Sequence, residues 1–143
     1  MKNLVLVVLI VAIVGSAFVA IFSYRSTNNS AESIRLSTAS LSLSTARIGL
    51  NIVELQLSYA DRDTLLESAD KAEEYFRAFA DSARKANEDE AAQKGEAIAD
   101  SIRYSLRPLI DAEKFKEIDV FFGSLYSSDD YKFLMLWNEN ILN

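Results

Sequence analysis

IRLSTAS LSLSTAR IGLNIVE LQLSYAD, residues 34–61, is one seven-residue unit written four times. The local alternation SLSLS would suit a strand, but strands repeat every two residues and do not hold a seven-residue period over such a length, so the segment reads as a helix. Leu36, Ala39, Leu43, Ala46, Leu50, Val53, Leu57 and Ala60 step by three and four along one face. Ile34, Leu41, Ile48 and Leu55 trace a second line. At about 100° per residue the two lines lie on roughly opposite sides, with Ile52 joining the second. One core buries one of them. The other stripe predicts self-association, with Ile34, Leu41, Ile48 and Leu55 as the homodimer interface.

Downstream, Thr64 and Glu67 have capping-box spacing and predict the start of a second, antiparallel helix. Leu65, Ala69, Ala72, Phe76, Phe79, Ala83 and Ala86 continue it to the polar cluster Asn87, Glu88, Asp89. A third pattern follows: Ala91, Gly95, Ile98, Ile102, Ser105, Leu109 and Ala112. Pro108 interrupts it, because proline has no amide to give the Tyr104 carbonyl, which predicts a kink or an end. Gly123 and Ser124, then Ser127 to Asp130, are turn signals, and Asp129 or Asp130 is placed to cap a short fourth helix over about Tyr131 to Leu142. Residues 34–143 thus read as an all-α, up-down bundle of three to four helices.

Upstream, LVLVVLIVAIVGSAFVAIF at residues 4–22 contains no charge. As a helix it spans about 28 Å, close to the hydrocarbon thickness of a bilayer. It predicts a single transmembrane anchor behind a cytoplasmic head, residues 1–3, with residues 23–33 as a juxtamembrane linker or helix start. A cleaved signal peptide is the competing reading, with Gly15, Ser16 and Ala17 as the cleavage site. The apolar run continues past that site to Phe22, which favours the anchor. Basic residues nearly balance across the span, with Lys2 on one side and Arg25 and Arg35 on the other. The short head makes a cytoplasmic amino terminus the simpler topology, so the C-terminal domain is expected outside the inner membrane.

Composition narrows the chemistry. Lys and Arg number 15 against 21 Asp and Glu, a net charge of −6, which argues against nucleic acid as a partner. With no Cys and no His, thiolate and imidazole catalysis and the usual zinc sites are excluded, and no nucleophile and base pair can be named. The expectation is a non-enzyme with no cofactor or metal. Glu73, Glu74, Glu88, Asp89 and Glu90 lack the spacing of a calcium loop and read as solvated helix positions. Phe76 and Phe79 read as core. Arg47 and Asn51, four apart, occupy the polar flank between the two stripes of the first helix.

A single N-terminal span, TARIGLN at residues 45–51, YSLRPLIDA at 104–112 and IDVFF at 118–122 together resemble the extracytoplasmic four-helix sensor domain of methyl-accepting chemotaxis receptors, the aspartate and serine type. The likeness spans residues 1 to about 125. It implies a homodimer that takes a small amino or organic acid at the subunit interface, in signal transduction and chemotaxis. Arg47 matches the arginine that holds the ligand carboxylate, a geometry suited to the guanidinium fork, and Asn51 matches an asparagine of the serine-sensing members. Ile52 and Gln56 stand where the family has further arginines; Gln56 keeps a polar place in the implied site, but a dianionic ligand would meet one guanidinium instead of three. Phe121, Phe122 and Ser124 match the segment that closes over the ligand. The long methylation helices of the family have no counterpart in this sequence, so the resemblance implies an N-terminal receptor fragment or a free-standing remnant. The alternative is a single-pass envelope or phage protein whose helical domain binds another protein.

Overall fold

The computed structural model describes residues 31–143, and every regular element in them is helical. The expected anchor at residues 4–22, and residues 23–30 of the expected linker, lie outside the described residues. Among the described residues no helix is long and apolar enough to cross a membrane.

Helix α1 (Ala31–Gln56) holds three of the four seven-residue units and ends two residues into the fourth, where residues 57–59 form a turn instead of the expected continuation of the helix. Its first stripe is core: Ala39, Leu43, Ala46, Leu50 and Val53 are fully buried, and Leu36, Leu57 and Ala60 pack at the margins. Helix α2 (Arg62–Lys85) returns antiparallel: the Ser68 hydroxyl donates to Gln56 Oε1 near one end, and Arg35 donates to the Lys85 carbonyl near the other. All seven apolar positions expected on this second helix are buried. The helix starts two residues before the expected cap. Asp61, not Thr64, is the N-cap, its carboxylate accepting from the Thr64 amide at 2.8 Å. Glu67, the expected partner in a capping box, instead pairs with Lys71 one turn on.

Asn87 ends this hairpin in the left-handed region, with φ 61°. The Glu88 amide bonds back to the Ala83 carbonyl and the Asn87 amide to Arg84, a Schellman arrangement that leaves α2 without orphaned carbonyls at the turn. Glu113 does the same at the end of the third helical segment, with φ 55° and the Lys114 amide bonded to the Leu109 carbonyl.

That third segment departs from a regular helix. Helix α3 (Asp89–Ser101) passes into a π-helical stretch, Ile102–Leu106, and then into α4 (Arg107–Asp111). The Arg107 amide reaches back five residues to the Ile102 carbonyl. The wider turn adds one residue to the register, so Leu106 and Ile110 are buried after Ile98 and Ile102, while Ser105 and Ala112, expected on the inner face, are exposed and Leu109 is only partly covered. Pro108 falls in the first turn of α4, where a missing amide costs little.

The last quarter is a fourth helical run broken once. Helix α5 (Phe115–Ser127) and α6 (Asp129–Leu142) meet at Ser128, whose ψ of 148° is extended. Gly123 and Ser124 do not form the expected turn; they are inside α5. Ser128, not Asp129 or Asp130, caps α6 by accepting from the Tyr131 amide. Helix α6 runs antiparallel to α3, with Lys94 paired to Asp130 at 3.1 Å and Trp137 Nε1 donating to Glu88. It also lies along α1, where Asn138 links Ser40 and Ser44. The four runs enclose one core centred on Phe76, Phe79, Leu43, Ile98 and Leu134, with Trp137 edge-on to Phe79 at 5.3 Å.

Candidate functional site

Arg47, Asn51 and Glu54 follow one another on α1 at spacings of four and three, so they share its polar flank. The break at Ser128 faces this flank. Two tyrosines bracket the break, Tyr126 at the end of α5 and Tyr131 at the start of α6, and their rings lie 5.1 Å apart. The Tyr126 hydroxyl donates to Glu54 Oε2 at 2.8 Å, with Asn51 Oδ1 at 3.3 Å. A phenol has one proton, so the shorter contact to the charged acceptor takes it. Phe122 lies beneath, its ring 5.8 Å from that of Tyr126 and nearly edge-on to Phe121 at 5.5 Å.

Burial pushes the Tyr126 phenol well above its ordinary value, and the Glu54 carboxylate that it bonds pushes it further; Arg47 acts in the opposite sense. Tyr131 is raised as well, chiefly by burial, with Arg47 beside it pulling it back. Both phenols are neutral donors at physiological pH.

Arg47 differs from its neighbours. Arg62, Arg77, Arg84, Arg103 and Arg107 each pair with a carboxylate, and Arg35 is held by the Lys85 carbonyl. Among the described residues Arg47 has no carboxylate within salt-bridge distance, and its side chain is exposed. Glu73, by contrast, is buried, its Oε1 shared between Arg77 at 2.8 Å and Arg103 at 2.9 Å. No three acidic side chains among the described residues are grouped as metal ligands.

The six residues expected around a ligand fall in three places. Arg47, Asn51 and Phe122 share the seam between α1 and the break of the fourth run. Gln56 is buried against α2, with Ser68 on its oxygen. Phe121 and Ser124 line a cavity on the α3 side of α5. Sequence reasoning omitted Glu54, Tyr126 and Tyr131. Glu54 was within reach, one helical step from Asn51; the tyrosines are not, because only the break at Ser128 brings them together.

Around the far side of α1 the second stripe is uncovered at its ends: Ile34 is 44% and Leu55 63% exposed, while Leu41 and Ile48 are partly covered. Comparison of the chain with protein-family models, with curated proteins and with solved structures gives no match. The class that the coordinates define is an all-helical domain with one apolar helix face outside its own core.

Proposed function

We propose that this protein is a membrane-anchored sensing domain that homodimerises through Ile34, Leu41, Ile48 and Leu55 and takes a small amino or organic acid at Arg47 and Asn51. The observation that supports it best is the Arg47 guanidinium, which lies beside Tyr131 with no carboxylate partner among the described residues, on the same helix as a partly uncovered apolar stripe. A carboxylate offers Arg47 the charge-assisted, bidentate pairing that the guanidinium fork suits. Glu54, two turns along α1, opposes a second negative charge, so the ligand carries one carboxylate near the arginine. Ligand bridging the seam biases how α1 packs on its partner copy and on α6, and α1 leads back toward the apolar run at residues 4–22, a two-state shift relayed to the inner membrane with the helical domain outside it.

The test is calorimetric titration and thermal unfolding with a library of amino and organic acids. A saturable ligand that raises the melting temperature, and whose affinity falls about tenfold or more in Arg47→Ala, is the expected result. Equal affinity in Arg47→Ala overturns the assignment. The uncovered stripe also favours a second reading, an envelope or phage protein whose first helix pairs with another protein. That reading gains if no acid shifts the melting temperature.

A further inference from the structure

Two helix irregularities line opposite sides of one open surface cavity of ≈ 250 Å³. The π-helical stretch contributes Ser105, with Ser101 just ahead of it; the broken fourth run contributes Phe121, Ser124, Ser128 and Asp130. π-turns recur at functional sites because the extra residue turns side chains out of register, and here it leaves Ser105 facing the cavity instead of the core.

The lining selects by its hydrogen bonding and its charge. Ser101 donates to the Ala97 carbonyl and Ser128 to the Leu125 carbonyl; Ser128 also accepts from the Tyr131 amide, which leaves two acceptor lone pairs on Ser101 and one on Ser128. Ser105 and Ser124 have no hydrogen-bond partner for their hydroxyls among the described residues. Asp130 is neutralised by Lys94 at 3.1 Å, and the ammonium is held in turn over the Phe133 ring at 5.1 Å. An anion finds no unpaired cation here, and a cation must displace Lys94 from both partners. A neutral molecule with several hydroxyls meets four hydroxyls, a carboxylate oxygen and the partly exposed Phe121 ring, on which sugar C–H groups can rest.

We propose that this cavity binds a small neutral polyol of monosaccharide size, at a site separate from Arg47. The probes are D-glucose, D-galactose, myo-inositol and glycerol, with inorganic phosphate and tetramethylammonium as charged comparators, read by saturation-transfer NMR on the full chain in a detergent without sugar headgroups. At least one polyol is expected to bind saturably. Its affinity is expected to fall about fivefold in Ser124→Val and further in Ser105→Val/Ser124→Val, with an unchanged melting temperature because both residues are exposed. Arg47→Ala is expected to leave it unaltered, which separates this site from the acid site. Absence of saturable polyol binding, equal binding by the double variant, or binding of a charged comparator in place of the polyols would each overturn the proposal.

Discussion

At the scale of single residues, two glycines show how local space sets the sign of one substitution. A Cβ on Gly95 would lie 2.6 Å from Phe79 Cδ1 and 2.8 Å from Cε1, on a ring that is fully buried and braced by Trp137. Alanine gains about 1 kcal/mol in helix propensity, but forcing that ring aside costs about 1 to 3 kcal/mol. Gly95→Ala is therefore expected to lower the denaturant midpoint. Nothing lies within 4 Å of a Cβ on Gly123, so Gly123→Ala is expected to raise stability by about 0.5 to 1 kcal/mol in the same measurement. The tyrosines at the candidate site give a pH prediction. Because the folded phenols of Tyr126 and Tyr131 are raised above the unfolded value near pH 10, the folded state holds those protons more tightly. Their contribution is whole below about pH 10 and is lost as pH rises through the folded values. In an absorbance titration Tyr126 and Tyr131 should ionise late, and Tyr126→Phe should remove one late ionisation and soften the alkaline fall in stability. If Tyr126→Phe leaves the late absorbance change undiminished, the burial of that ring is contradicted.

At the scale of elements, the π-helical stretch and Pro108 explain each other. In a regular α-helix Pro108 would press on the Tyr104 carbonyl and leave it without a donor; the wider turn from Ile102 to Arg107 carries the chain past that conflict and returns Leu106 and Ile110 to the core. Deleting Tyr104, which is 70% exposed, shortens the Ile102–Leu106 spacing from four residues to three, which a regular helix accommodates, but sets the proline inside that helix. The deletion alone is expected to lose about 3 kcal/mol, and Pro108→Ala in the same chain to recover most of it, measured by denaturant unfolding and helical dichroism. If the double change recovers nothing, the π-turn has another cause. This is also where the sequence pattern misled. Pro108 announced an irregularity, but a spacing of three and four points to Ser105 and Leu109, and only the observed hydrogen bonds show that one added residue exchanges them for Leu106 and Ile110. The cap of α2 is similar: Thr64 and Glu67 have the right spacing, yet Asp61 is better placed to accept from the Thr64 amide, and its carboxyl is held below the ordinary carboxylate range by that bond.

At the scale of the whole molecule, the second stripe of α1 carries a directly measurable consequence for assembly. The full chain is expected to sediment as a dimer, and Leu41→Lys/Leu55→Lys as a monomer with unchanged helical dichroism, since neither side chain is in the buried core. A dimer that survives both substitutions would remove the interface proposed here. Much of the architecture was legible beforehand because it is periodic: the seven-residue repeat of α1, the uninterrupted apolar line of α2 and the first half of α3 each place hydrophobic side chains on one face, and burying those faces together requires an antiparallel helical core whatever the loops do. Arg47 and Asn51 were legible as neighbours for the same reason, being one turn apart. The tyrosines beside them were not. Tyr126 and Tyr131 reach that flank because the chain breaks at Ser128, and Phe121 and Ser124 turn toward α3 while Phe122 turns inward, an outcome of how α5 is rotated in the packed bundle. Helical period thus determined which faces were apolar and which residues shared them; tertiary packing decided which faces met, because rotation and register depend on side chains that are distant in sequence and adjacent only after the core has closed.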